Sequence, residues 1–101
     1  MVRRYTLGGV VKTFSHKGMR ELYETGKSGL VPPALVARCK LRLAALDQAP
    51  GLAALDVPGF NFHALKGFNS GRHSIHFNGP WAITFEWRSP DVYRVNLEQY
   101  H

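Results

Sequence analysis

Two short segments carry side chains able to cut a phosphodiester. In His63-Ala64-Leu65-Lys66-Gly67 an imidazole is followed three residues later by an amine, and in Gln99-Tyr100-His101 a phenol stands beside a second imidazole. RNA brings its own nucleophile, the ribose 2′-hydroxyl. An enzyme has to set that oxygen in line with the adjacent phosphate, take its proton, stabilise the added negative charge and protonate the leaving oxygen. Histidine, with an ordinary pKa of about 6.5, suits the proton transfers, and lysine or arginine suits the charge. On pattern alone the two segments also read as an edge-strand histidine with a surface lysine, and as a plain C-terminal tail.

Five histidines invite a metal reading, because imidazole is a common ligand. Their spacing argues against one. His73 and His76 fall on opposite faces of a regular strand, and there is no His-Glu-x-x-His or Cys/His cluster. Cys39 is the single cysteine, so neither an intrachain disulfide nor a thiolate zinc site is available, and it reads as a small packed side chain. Neither a metal nor another cofactor is expected.

The 101 residues are 45% hydrophobic, enough for one core and too few for two, so a single domain over 1–101 is expected. A net charge of +6 attracts polyanions, of which nucleic acid is the commonest. No apolar run approaches the roughly 20 residues of a membrane span, and no basic amphipathic helix offers a broad lipid-facing stripe. Arg3 and Arg4 resemble the start of a signal peptide, but Lys12 interrupts the apolar run, which makes a cytoplasmic protein the expectation.

The elements that must position these side chains follow from periodicity. Val10, Val11, Thr13 and Phe14 are β-prone, and Ser15 offers an N-cap for a helix from about His16 to Thr25, with Met19, Leu22 and Tyr23 as its apolar stripe and Gly26 as its stop. Pro32 and Pro33 suit the first turn of a second helix in which Leu35, Val36, Cys39, Leu43 and Leu46 recur at helical spacing. Arg38 and Arg42, one turn apart, read as a solvated face. After an irregular 50–59 the period falls to two, which predicts strands over 60–65, 72–77, 81–87 and 93–97. Asn78-Gly79 suits a type I′ turn, lengthened by Pro80.

Alternation divides the strands into two faces. Ile75, Phe77, Ile83, Phe85, Trp87, Tyr93, Val95 and Leu97 share the apolar side, which should meet the helices. Arg72, Ser74, His76, Ala82, Thr84, Glu86, Arg94 and Asn96 share the other, a basic face on which RNA could lie. The expected architecture is α+β, with an N-terminal strand and two helices packed on one face of a twisted antiparallel sheet.

Four segments in order, Phe14-Ser15-His16-Lys17-Gly18, then 58–67 (Pro-Gly-Phe-Asn-Phe-His-Ala-Leu-Lys-Gly), then Trp81-Ala82-Ile83-Thr84-Phe85, then Tyr100-His101, resemble HigB toxins of the RelE superfamily. The resemblance runs from Val10 onward and leaves residues 1–9 as an N-terminal extension. It implies a RelE-like fold, cofactor-free mRNA cleavage on the ribosome, and a HigA-type helix-turn-helix antitoxin, with DNA contacted only through the antitoxin complex. By position His63 and Lys66 match the catalytic histidine and lysine, and Tyr100 and His101 match the end of an Asp-Tyr-His terminus. The resemblance thus implies that His63 or His101 transfers protons, that Lys66 holds the phosphate and that Tyr100 orients or stacks on the substrate. Trp81, Arg72, Arg94 and Gln99 are candidate RNA contacts.

Two positions depart from the family. Ala82 stands where an arginine is usual, and Gln99 stands where an aspartate is usual; Arg72 or Arg94 could replace the lost cation, and Glu98 should face away from Gln99. These departures keep a noncatalytic RNA- or ribosome-binding module as an alternative, with a purely structural interaction domain as a third reading.

Overall fold

The computed structural model describes residues 11–65, 71–77, 79–89 and 91–99. Its elements are α1 (Lys17–Thr25), a 3-10 turn (Pro33–Leu35) leading into α2 (Val36–Gln48), a second 3-10 turn (Leu52–Leu55), and strands β1 (Phe62–Ala64), β2 (Arg72–His76), β3 (Trp81–Arg88) and β4 (Asp91–Gln99). The strands form one antiparallel sheet in sequential order. The expected α+β arrangement, two helices against an antiparallel sheet, is what the chain adopts.

The leading segment runs parallel to β4 rather than forming a full strand. Val11 bridges Val92 and Phe14 bridges Val95, tied by Lys12 N–H to the Val92 carbonyl at 2.7 Å and Ser15 N–H to the Val95 carbonyl at 2.8 Å. The cap of α1 is His16, not Ser15: the imidazole Nδ1 accepts from Met19 N–H at 3.2 Å. At the other end Gly26 takes a left-handed turn (φ 83°) and donates to the Leu22 carbonyl, ending the helix as expected. Gly18 is required by crowding, since a Cβ there would lie 2.8 Å from Leu30 Cβ and 2.9 Å from the His16 ring.

Met19 and Leu22 of α1, with Leu35, Cys39, Leu43 and Leu46 of the second helical segment, close over Ile75, Ile83, Phe85, Val92, Val95 and Leu97. Each large side chain buried there contributes about 1.5–3 kcal/mol. Cys39 is fully buried, and burial pushes its thiol up to about 11, so it is an inert packing group.

Two expectations are corrected. Tyr93 does not share the apolar face: the pairing shifts between Thr84 and Glu86, so Tyr93 sits opposite Glu86, and Val92 points inward beside Trp87 instead. The cause is a bulge at Arg94, held at φ 54°, whose N–H is taken by Thr13 Oγ1 at 2.8 Å. Nor is Arg42 on a solvated face. It is buried, donates to the Gly59 carbonyl at 3.1 Å, and lies 4.8 Å over the Phe60 ring and 5.0 Å over the Phe77 ring. That guanidinium joins the loop before β1 to the end of β2. The type I′ turn expected at Asn78-Gly79 involves Asn78, which lies outside the described residues; around it Phe77 N–H donates to the Trp81 carbonyl at 3.2 Å.

Candidate active site

Strand pairing sets the side chains of the helix-free face in rows. His63, Ser74, Thr84 and Asn96 lie side by side across β1 to β4. His76, Ala82 and Glu98 form the row on one flank, and Arg72, Glu86 and Tyr93 the row on the other. A left-handed Asn61 (φ 50°), two residues after Gly59 (φ 90°), turns the chain sharply into β1, which is only three residues long, and leaves His63 exposed. The His76 ring meets it edge-on, 5.6 Å between centroids.

The floor of this face is not open to water. Ser74, Ala82 and Thr84 are fully buried. Above them Arg72 Nη2 donates to Thr84 Oγ1 at 3.0 Å and to the Arg94 carbonyl at 3.3 Å, while Thr84 Oγ1 donates to Glu98 Oε2 at 2.5 Å. Among the described residues Arg72 Nη1 and Ser74 Oγ are buried without a hydrogen-bond partner. Such groups are costly to leave unpaired unless something else arrives to satisfy them. An open groove of about 730 Å³ adjoins His76, walled by the 56–61 loop with Phe62 and Phe77 on its rim.

Of the residues singled out from sequence, His63 and Arg72 come together on this face. Arg94 stands at the bulge with its Nε 4.0 Å from Glu86 Oε1. Trp81 and Gln99 face each other across β3 and β4 on the opposite, helix side, where Trp81 packs on the core. Lys66, Tyr100 and His101 lie outside the described residues. Glu98, which faces away from Gln99 as strand alternation requires, joins Glu86 as a carboxylate on the His63 side. Alternation had already put Thr84, Ser74 and His76 on this face, but the chain of contacts from Arg72 to Glu98 depends on cross-strand register, which no single strand reveals.

His73 is the counterexample among the histidines. It points to the helix side, stacked between Phe62 at 5.4 Å and Phe85 at 5.8 Å, and burial lowers its pKa, with the Gly71 backbone acting the other way. Among the described residues no three His, Cys, Asp or Glu side chains converge to hold a metal ion.

A family profile described as the RelE-like toxin of the type II toxin-antitoxin system HigB matches residues 12–101. The chain belongs to this family. An endoribonuclease HigB from Proteus vulgaris is 38% identical over 92 residues, covering 91% of this chain and 100% of that protein. As a HigB-like toxin the chain has a role in a type II system and therefore an antitoxin partner. Among the described residues no helix is long and apolar enough to cross a membrane.

Proposed function

We propose that this HigB-like toxin is a metal-independent endoribonuclease that cuts mRNA on the ribosome, in the cytoplasm, and is silenced by a HigA-type helix-turn-helix antitoxin. The observation that carries the reading is an exposed His63 and a half-buried Arg72 on the same helix-free face of the sheet, over a floor that holds unpaired polar atoms. The name of the Proteus vulgaris relative supports it.

In this reaction the 2′-oxygen attacks phosphorus, the P–O5′ bond breaks, and the products are a 2′,3′-cyclic phosphate and a 5′-hydroxyl. His63 and His101 share the two proton transfers, one removing the 2′ proton and the other supplying O5′. Lys66 and Arg72 stabilise the phosphorane charge, and Arg94 contributes to the basic field along the bulge. Tyr100 orients or stacks on the substrate. The groove beside His76 gives the bent RNA room to enter. No metal is required, because the nucleophile belongs to the substrate and the charge is met by cations of the protein.

Ala82 supports a second reading, in which the chain binds the ribosome or RNA without cutting. Primer extension on translated message separates the two. The enzyme gives discrete cuts that disappear in His63→Ala and His101→Ala, whereas the binding module gives stalled ribosomes on intact message. Salt-insensitive or absent ribosome association would defeat both.

A further inference from the structure

We infer that Glu98, acting through the Thr84 hydroxyl, is a positioning residue that aims Arg72 at the scissile phosphate; this rests on the ribonuclease reading above. Register places Arg72 directly opposite Glu86, the carboxylate it would ordinarily pair with. That carboxylate is instead held by Arg88 at 2.9 Å, with Arg94 at 4.0 Å. Arg72 turns along the strand toward the next row, the one His63 occupies, and donates to Thr84 Oγ1.

A hydroxyl has one hydrogen and can either donate to or accept from a given neighbour. Thr84 commits its hydrogen to Glu98 at 2.5 Å, a short charge-assisted contact, so toward Arg72 it can only accept. Glu98 thereby fixes the polarity of the hydroxyl, and the hydroxyl fixes one terminal nitrogen of a rigid fork. Ala82, opposite Glu98, has no polar side-chain atom to compete for the carboxylate. The Arg94 carbonyl at the bulge takes the second bond of the same Arg72 nitrogen. What is left is Nη1, buried and unpartnered among the described residues, beside the equally unpartnered Ser74 Oγ in the row that ends at His63. Anchoring Nη2 at two oxygens fixes the plane of the fork, and with it the direction from which a phosphate oxygen can approach the part of this half-buried side chain that stays open.

The alternative is that the contact merely pins β3 to β4. It is distinguished by single-turnover cleavage of translated message together with the melting temperature of each variant. Thr84→Val keeps the shape and removes the hydroxyl, and Glu98→Ala removes the carboxylate. Each should lower the cleavage rate about 10-fold at a temperature where the variant is fully folded, with KM close to that of the wild type, a loss that the fall in melting temperature from the unpaired partners does not account for. Thr84→Ser should restore the rate to within about 2-fold, and Glu98→Gln, which still accepts the hydroxyl proton, should fall between. In an Arg72→Ala background Glu98→Ala should add nothing further, because both act on one guanidinium. Full activity in Thr84→Val and Glu98→Ala, or losses that add to that of Arg72→Ala, would overturn the inference. Should the wild type cut nothing, the ribonuclease reading fails, yet the positioning claim is still read by NMR. The guanidinium N–H signals of Arg72 should be slowly exchanging in the wild type and lost to exchange in Thr84→Val and Glu98→Ala; signals unchanged in the variants refute it.

Discussion

The same three central strands present two surfaces with opposite chemistry. On the helix side Ile75, Ile83, Phe85, Val92, Val95 and Leu97 are packed to near-zero exposure, and even a histidine, His73, is absorbed as an aromatic plate between Phe62 and Phe85. On the other side small residues form an equally buried floor, but the polar atoms above it are arranged in a directed chain from Arg72 through Thr84 to Glu98. The difference teaches that burial by itself does not mark a structural residue. What separates the two surfaces is the kind of side chain that fills them: rings and branched aliphatics packed on one another on the helix side, and a guanidinium, a hydroxyl and a carboxylate bonded to one another on the side that carries His63.

The largest effect should come from His63→Ala. Losing one proton-transfer group should cost about 10²–10⁴-fold in cleavage rate, while stability moves by no more than about 0.5 kcal/mol, because the side chain is exposed. Phe85→Ala, on the other surface, reverses the pattern. A fully buried aromatic removed from the core should cost about 3–5 kcal/mol in denaturant unfolding, with cleavage falling only in proportion to the unfolded fraction. If His63→Ala melted the protein, or Phe85→Ala cut at a tenth of the rate while fully folded, the two surfaces would not be separable.

Arg42 is where the comparison can be broken from the inside, since it belongs to α2 and yet holds the loop that delivers β1. Arg42→Met retains most of the packing but loses the bond to the Gly59 carbonyl and the cation over Phe60 and Phe77. A loss of about 1.5–3 kcal/mol is expected. Cleavage under conditions where the variant is fully folded should also fall, because His63 follows that loop by only a few residues. Unchanged turnover in the folded variant would show that β1 is held by its pairing with β2 alone.

How much of this could be read from the residues depended on whether the information was local. The period-two pattern across Arg72 to Trp87 gave both surfaces correctly, because regular strands alternate. It failed at Tyr93, where an arginine in the left-handed region shifts the register; the three-residue spacing of Val92 and Val95 was the one local trace of that bulge. Arg42 was misread because a cation on a helix is ordinarily solvated, and the two rings that hold it are 18 and 35 positions away in sequence, at Phe60 and Phe77. His63 and Arg72 were legible as site candidates by residue type. The Thr84–Glu98 contact was not, since it exists only once β3 and β4 are in register.

The smallest effect concerns α1, and it tests whether histidines away from the helix-free surface act in their neutral form. His16 caps the helix by accepting at Nδ1, which a protonated ring cannot do, and burial lowers its pKa below the ordinary 6.5, as it does for His73. A group whose folded pKa is depressed gives its full stability above the unfolded value, so the protein should be most stable above pH 6.5 and should weaken as the pH falls below that, while the unfolded chain binds protons the folded one resists. At pH 7.5 His16→Ala should cost about 1 kcal/mol, the usual worth of a cap. At pH 5 the gap between His16→Ala and the wild type should narrow, because the wild-type cap is then being protonated as well. His16→Asn, a cap that does not titrate, should retain its advantage over alanine at both pH values. An alanine penalty that stays constant across the range would mean that the imidazole stabilises α1 by packing against Gly18 rather than by capping it.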